Sequence, residues 1–180
     1  MYSIAIDGPA GAGKSTIFKL LLGLYEPQKG VALIDGQPAS KIREQDKRQL
    51  LGYVEQSFHR VPGTVKEQIT LYDSSFTMED VREAAVVAGL DDTIQTLEKG
   101  YDTVCSPELF SQGQWQLLSI ARAAVAKPKL LLLDEITANL DAQTEREVLQ
   151  ALKRVSANRT VISISHRVNA KTGCIIQVGE

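Results

Sequence analysis

The run Asp7-Gly8-Pro9-Ala10-Gly11-Ala12-Gly13-Lys14-Ser15-Thr16 concentrates the residue types that hold a phosphate. It fits the spacing G-x-x-x-x-G-K-[ST], the phosphate-binding P-loop. Glycines let the backbone curl so that its N–H groups point at one phosphate group. A helix starting near Lys14 adds its dipole and its free first-turn N–H groups. On this reading residues 8–16 cradle the phosphates. Lys14 reaches the β- and γ-phosphates, and Ser15 offers its hydroxyl oxygen to Mg²⁺. The plain alternative is a Gly-rich turn with an incidental lysine, and the flanks argue against it.

A second stretch, Leu130-Leu131-Leu132-Leu133-Asp134-Glu135, has the Walker B pattern. Four apolar residues in a row describe a strand buried on both faces, and its carboxyl end delivers two acids. Asp134 is placed there to hold Mg²⁺ through water. Glu135, next along, is placed to polarise water as a general base.

These residues need elements to hold them. Ile4, Ala5 and Ile6 precede the P-loop and Ile17-Phe18-Lys19-Leu20-Leu21-Leu22 follows it, giving a strand over 2–6 and a helix over 14–24. Residues 26–30 form a turn, and a strand over 31–34 closes at Asp35-Gly36. A charged, exposed stretch covers 41–48, a short strand 51–54 and an irregular segment 57–63. From 64 to 97 the pattern is helical, with Val65, Ile69, Val81, Ala84, Ala85, Ala88 and Leu90 at three- and four-residue spacings. Thr77 is a plausible N-cap, and Asp91 caps a further short helix. The next helix starts at Ser111 and breaks at Pro128. Further strands fall at 130–133, 160–164 and 174–178, with an amphipathic helix over 141–155. This alternation argues for a three-layer α/β fold with a mostly parallel central sheet.

Composition narrows the field. A chain of 180 residues, 43% apolar and 23% charged, suits one soluble-type domain with a real core. The formal net charge is −2 with both signs interspersed, so no nucleic-acid partner is expected. Cys105 and Cys174 lie far apart without Cys or His neighbours, which leaves a disulfide framework and a zinc site unsupported and favours a reducing compartment. Asp7 interrupts the first apolar run, unlike a signal peptide. No apolar run approaches the roughly 20 residues of a membrane span. Any spanning is expected from another polypeptide or segment.

The segment from Leu109-Phe110-Ser111-Gln112-Gly113-Gln114 to Trp115-Gln116-Leu117-Leu118-Ser119-Ile120-Ala121-Arg122-Ala123 resembles the signature of ATP-binding-cassette (ABC) ATPases. The family's usual form is L-S-G-G-Q; Phe110 and Gln112 replace two positions. Ser111, Gly113 and Gln114 stand where the family has its Ser, second Gly and Gln. Ser111 with Gln114 also has capping-box spacing, so a helix N-terminus suited to a γ-phosphate begins here. The rest of the family's set follows its order. Gln56, after Gly52-Tyr53-Val54-Glu55, resembles the Q-loop glutamine, which implies a role at Mg²⁺ and the attacking water. Ala138-Asn139-Leu140-Asp141 resembles the D-loop, which crosses to the partner subunit and its nucleotide. Ile164-Ser165-His166-Arg167 resembles the switch segment, with His166 on the γ-phosphate. Pro62-Gly63-Thr64-Val65-Lys66-Glu67-Gln68-Ile69 and the Ser-Gln-Gly-Gln-x-Gln-Leu-Leu run look like the exporter branch.

The resemblance implies a P-loop NTPase core at about 1–56 and 127–180, with a helical subdomain at about 57–126 carrying the signature. It implies ATP and Mg²⁺ as ligands, with Lys14, Gln56, Glu135 and His166 as catalytic residues and Ser15, Gln56 and Asp134 at the metal. It also implies a second ABC ATPase subunit, identical or not, and transmembrane permease domains docking near Phe58 and His59. Such a domain powers an exporter from the cytoplasmic side, at the inner face of the cell membrane. Family members usually carry several dozen residues before the P-loop, with antiparallel strands and an aromatic residue stacked on adenine. This chain starts on the P-loop strand, and Tyr2 reads as a strand residue. The expectation is a shortened domain with an open sheet edge or apolar patch and impaired activity, short of a stacking contact worth about 1 kcal/mol or more. Trp115 replaces a common Arg; packing on a membrane partner and burial against neighbouring helices are equal readings. Two rivals stand beside the main one. A soluble ABC-type ATPase acting on DNA or ribosomes would carry a coiled-coil insertion or basic tail, and neither is present. The opening 4–16 also resembles cytidylate kinases, but no Arg-rich lid cluster follows.

Overall fold

The computed structural model describes residues 3–55, 57–136, 140–164 and 173–179. In chain order the elements are β1 (Ser3–Asp7), α1 (Lys14–Leu21), β2 (Leu33–Ile34), β3 (Gln37–Pro38), α2 (Glu44–Leu50), β4 (Leu51–Val54) and α3 (Val65–Thr70). Then come α4 (Met78–Ala88), α5 (Asp91–Gln95), α6 (Gln112–Ala124), β5 (Leu130–Asp134), α7 (Ala142–Val155), β6 (Thr160–Ile164) and β7 (Cys174–Gln177). Strands β4-β5-β6-β1-β7 form one parallel sheet in that order, and β2-β3 form a separate antiparallel hairpin.

The leucine run of β5 shows how the layers arise. Side chains alternate across a strand, so Leu131 and Leu133 join the apolar cluster with α3, α4, α6 and α7. Leu132 joins the opposite cluster, with Phe18 of α1, Ile6 and Ile164. Both Leu131 and Leu132 are fully buried. The result is the three-layer α/β arrangement with a parallel central sheet that the sequence pattern implies. At the far edge β7 is exposed along its whole length, including Ile175 and Ile176.

Local chemistry explains the boundaries. Helix α1 stops at Leu21, short of 24, because Gly23 takes φ +69° and closes a Schellman turn. In it the Gly23 N–H donates to Leu20 O at 3.1 Å and the Leu24 N–H to Lys19 O at 2.9 Å. The strand over 31–34 shortens at its start to Leu33–Ile34 and ends as expected at Asp35 and Gly36, which both take positive φ and form the tight hairpin turn to β3. The charged stretch 41–48 contributes most of α2, where Arg43–Asp46 and Lys47–Glu44 pair three residues apart on its exposed face.

The helical pattern of 64–97 resolves into three helices. Leu71 and Tyr72 both adopt left-handed backbone after α3, and Thr77 with Asp80 restarts the chain through a capping box. Asp91 departs from its expected role. It is the first residue of α5 rather than its cap, and its buried carboxylate accepts from the Tyr101 hydroxyl at 2.7 Å.

Gly52 lies where β4 meets α6. A Cβ there would come within 2.6 Å of Ala123 O, 2.8 Å of Leu131 Cδ2 and 2.9 Å of Pro128 Cγ. Backbone and core cannot both yield, so Gly52→Ala should lower unfolding free energy by about 1–3 kcal/mol. Urea unfolding followed by circular dichroism reads this directly, and an unchanged midpoint would refute the packing argument.

Candidate nucleotide site

The site begins with the helix start after the P-loop, which shares with the short α2 and α5 the lack of a side-chain cap. Helices α3, α4, α6 and α7 are each capped by a side chain, from Thr64, Thr77, Ser111 and Asp141. Helix α1 is preceded by Gly13 at φ +92°, with no side-chain cap. Within the first turn the Thr16 N–H donates to Gly13 O at 3.0 Å, which leaves the N–H groups of Lys14 and Ser15 for an anion. Gly8, at the other end of the loop, has no room for a side chain, since a Cβ there would overlap the Val178 carbonyl. The Gly8 N–H donates to Asp7 Oδ1 at 2.8 Å, and the Asp7 Oδ2 accepts from Gln177 at 3.2 Å.

Lys14 is buried, and its ammonium donates to the carbonyls of Gly8 at 2.7 Å and Pro9 at 2.9 Å. A buried cation needs acceptors, and these two hold it across the loop. Pro9, Ala10, Gly11, Ser15 and Thr16 are exposed, while Ala12 is half-buried.

All five strands of the sheet are parallel, so their carboxyl ends share one edge. Ligands of open α/β sheets bind there. Asp134 closes β5 at this edge, and its Oδ2 accepts from the Tyr53 hydroxyl of β4 at 3.1 Å. Burial pushes the Asp134 carboxyl above its ordinary value, helped by the charges of Glu135 and Glu55, while the Tyr53 hydrogen bond and Lys14 pull the other way. Burial, with the Asp134 charge behind it, also raises the Tyr53 phenol, which stays a donor. Glu135 follows in left-handed backbone at φ +44°, and its N–H donates to Ile164 O at 3.0 Å. For a non-glycine residue such a conformation stores strain, a feature that clusters at functional sites. Gln56 and His166 lie outside the described residues. Strand β4 ends two residues before the one, and β6 two residues before the other.

The signature turn forms a second group. Ser111 N donates to Gln114 Oε1 at 2.9 Å, and Gln114 N to Ser111 Oγ at 3.3 Å. This reciprocal box leaves the N–H groups of Gln112 and Gly113 at the helix tip without an intrahelical carbonyl. Asp141 caps α7, accepting from Gln143 N at 3.0 Å and Thr144 N at 3.1 Å, with the Thr144 hydroxyl on its other oxygen. Helix α6 packs mainly on α3, α4, α7 and β4.

Trp115 is engaged within the chain. Its ring stacks on Phe58 at 5.2 Å, meets Phe110 edge-on at 5.1 Å, and its Nε1–H donates to Pro107 O at 3.3 Å. The ring is half-buried against these neighbours, and it also lines an open recess with Phe58, Arg60 and Phe110. Sequence reasoning missed Tyr53, whose hydroxyl meets the site only through strand pairing.

The donor chemistry fits Mg²⁺. Ser15 and Asp134 offer oxygen alone, and among the described residues no three His, Cys, Asp or Glu gather to cage a metal. Mg²⁺ is held in that sparse way, with waters and phosphate oxygens completing its shell.

A bare P-loop helix, an acid pair at the end of a central parallel strand and a capped signature helix define an ATP-binding-cassette ATPase domain. Comparison agrees: the family model described as ABC transporter matches residues 2–138, and the chain belongs to that family as an ATPase domain of exporter type. It is 43% identical over 169 residues to the uncharacterized ABC transporter ATP-binding protein YfiC of Bacillus subtilis, covering 93% of this chain and 28% of that protein. It is 44% identical over 170 residues to the ABC multidrug transporter MDR2 of Trichophyton tonsurans, covering 92% of this chain and 12% of that one. A solved structure of a bacterial Atm1-family ABC exporter with ATP bound superposes with a TM-score of 0.83 at 36% identity, over 99% of this chain and 32% of that one. The chain thus spans under a third of the length of each of these relatives.

Gly113 supplies a test of how the signature turn is seated. Alanine at this helical position would gain about 1 kcal/mol of propensity, but its Cβ would overlap Thr144 Cγ2 at the start of α7. Overlap costs about 1–3 kcal/mol, so Gly113→Ala should destabilise. Adding Thr144→Ser removes the offending methyl while keeping the hydroxyl on Asp141, and should restore at least half the loss. A double-variant cycle of thermal or urea unfolding checks this; additive losses would show that the contact is not what excludes a side chain.

Proposed function

We propose that this domain binds Mg²⁺-ATP and hydrolyses it to power an ABC-type membrane exporter. The observation that carries the reading is the pair of unlike helix starts. One, at α1, is uncapped and carries Lys14; the other, at α6, is capped so that only its tip amides remain. Each suits one side of the same triphosphate, and a head-to-tail pair of subunits would bury two nucleotides between them.

In this reading residues Gly8 to Thr16 wrap the phosphates and Lys14 turns from the loop carbonyls to the β- and γ-phosphate oxygens. A phosphate is a stronger, charge-assisted acceptor than two carbonyls. Mg²⁺ would be held by Ser15, Asp134 and Gln56 and would supply neutralisation of the phosphate charge. Glu135 takes a proton from the attacking water, and His166 orients the γ-phosphate. Ser111, Gly113 and Gln114 of the partner subunit's signature close the other side, and Asp141 fixes the segment that crosses between subunits. The P-loop core at about 1–56 and 127–180 and the helical subdomain at about 57–126 belong to the same proposal.

The second partner is a pair of transmembrane permease domains, which place this domain at the cytoplasmic face of the membrane. No described helix is long and apolar enough to cross a membrane. A recess of about 430 Å³ between Phe58, Arg60, Phe110, Trp115 and Gln116 supports docking of a permease segment beside Phe58 and His59.

Light scattering of Glu135→Gln with and without Mg-ATP tests the pairing. Slowing hydrolysis by on the order of a hundredfold or more should trap a dimer that appears only with nucleotide and is lost on adding Ser111→Arg. A protein that binds ATP yet stays monomeric would overturn the head-to-tail reading.

A further inference from the structure

Tyr53 stands between the two halves of the phosphate site. It lies on β4 directly opposite Leu132 of β5, one pair before the strands end. Its hydroxyl donates to Asp134 Oδ2 at 3.1 Å. Its ring meets Phe18 edge-on, with centroids 6.1 Å apart and planes at 87°. Phe18 is itself 1% exposed and sits one turn beyond Ser15 on α1. One side chain therefore touches both the helix that carries Ser15 and the carboxylate at the end of β5.

Packing alone does not call for the hydroxyl. A phenylalanine would fill the same half-buried space and keep the edge contact with Phe18. The oxygen has one recorded use, the hydrogen bond to Asp134. A carboxylate at a strand end has two rotatable bonds, and a fixed donor on one oxygen selects the rotamer of the other. Partners of this kind orient metal-binding carboxylates.

We propose that Tyr53 is a positioning residue that holds the Asp134 carboxylate in the orientation required for Mg²⁺, braced against the P-loop helix through Phe18. This rests on the reading of Asp134 as a metal-facing residue, and the test separates the two. Because the ring bears on α1, the orientation of Asp134 is referred to Ser15 rather than set by β5 alone.

The test is Mn²⁺ binding to the ATP-loaded full chain, followed by electron paramagnetic resonance, for wild type, Tyr53→Phe and Asp134→Asn. ATP binding in EDTA and thermal melting are measured on the same preparations. Tyr53→Phe should weaken Mn²⁺ by about tenfold while metal-free ATP binding and melting stay as in wild type. Asp134→Asn should weaken it further. If Tyr53→Phe binds Mn²⁺ like wild type while Asp134→Asn does not, Tyr53 only packs and the proposal fails, with the metal reading intact. Should neither variant change Mn²⁺ affinity, the metal role of Asp134 fails and takes the proposal with it. If Tyr53→Phe melts early and loses ATP even in EDTA, the hydroxyl is structural and the proposal is overturned.

Discussion

The structure depends on β5 being buried on both faces. Its leucines alternate between two apolar layers, Leu131 toward the α6 and α7 side and Leu132 toward α1. A slip of one residue would turn each set toward the wrong layer. Neighbours on both sides, β4 and β6, pin the register. The acids at its end are therefore placed by the core, not by a loop. Where β5 runs out, the Glu135 N–H still bonds Ile164 O while its φ turns positive. The chain leaves the sheet abruptly, at the edge where β1 gives way to the P-loop.

Electrostatics follows from this geometry. The sheet edge gathers the half-buried Asp134 and Glu135 and the buried ammonium of Lys14. Burial alone disfavours the ionised Asp134, and the neighbouring acids add to that. A site so arranged accommodates positive charge better than it tolerates its own carboxylates. The uncapped α1 terminus and Lys14 do the reverse for anions. Together they suit a divalent cation and a polyphosphate arriving as one unit.

The motifs were legible because their chemistry is local. A P-loop needs fixed covalent spacing, and the acid pair follows its strand by one residue, so both can be read along the chain. Ser111 announced its own capping box for the same reason. What stayed hidden was lateral. The order β4-β5-β6-β1-β7 pairs residues as far apart as Tyr53 and Leu132, and no periodicity along the chain encodes which strand lies beside which. Tyr53 looked like one more strand residue until pairing set its hydroxyl against Asp134. Asp91 looked like a cap because acids favour helix starts, yet Tyr101 draws its carboxylate inward. The two-residue strands β2 and β3 are too short for any alternation to show. The parts assigned to Gln56 and His166 rest on motif resemblance and on the strands that lead to them.

Lateral packing also ties the signature helix to the sheet edge. Gln116 of α6 donates to Glu55 O at 3.2 Å, and Arg122 donates to His59 O at 2.9 Å and Gln68 O at 2.6 Å. The Arg122 guanidinium lies 4.1 Å from the Phe58 ring centroid, whose other neighbour is Trp115. Desolvation lowers the Arg122 pKa to about 10, a sign of how little water reaches it. Two side chains of α6, Gln116 and Arg122, thus hold the backbone that follows β4, and Trp115 stacks on its Phe58. Separating that backbone from α6 would strand a buried cation and several carbonyls without partners, a cost far above that of a small joint displacement. The chain at Glu55 and His59 is therefore fastened to α6 at Gln116 and Arg122.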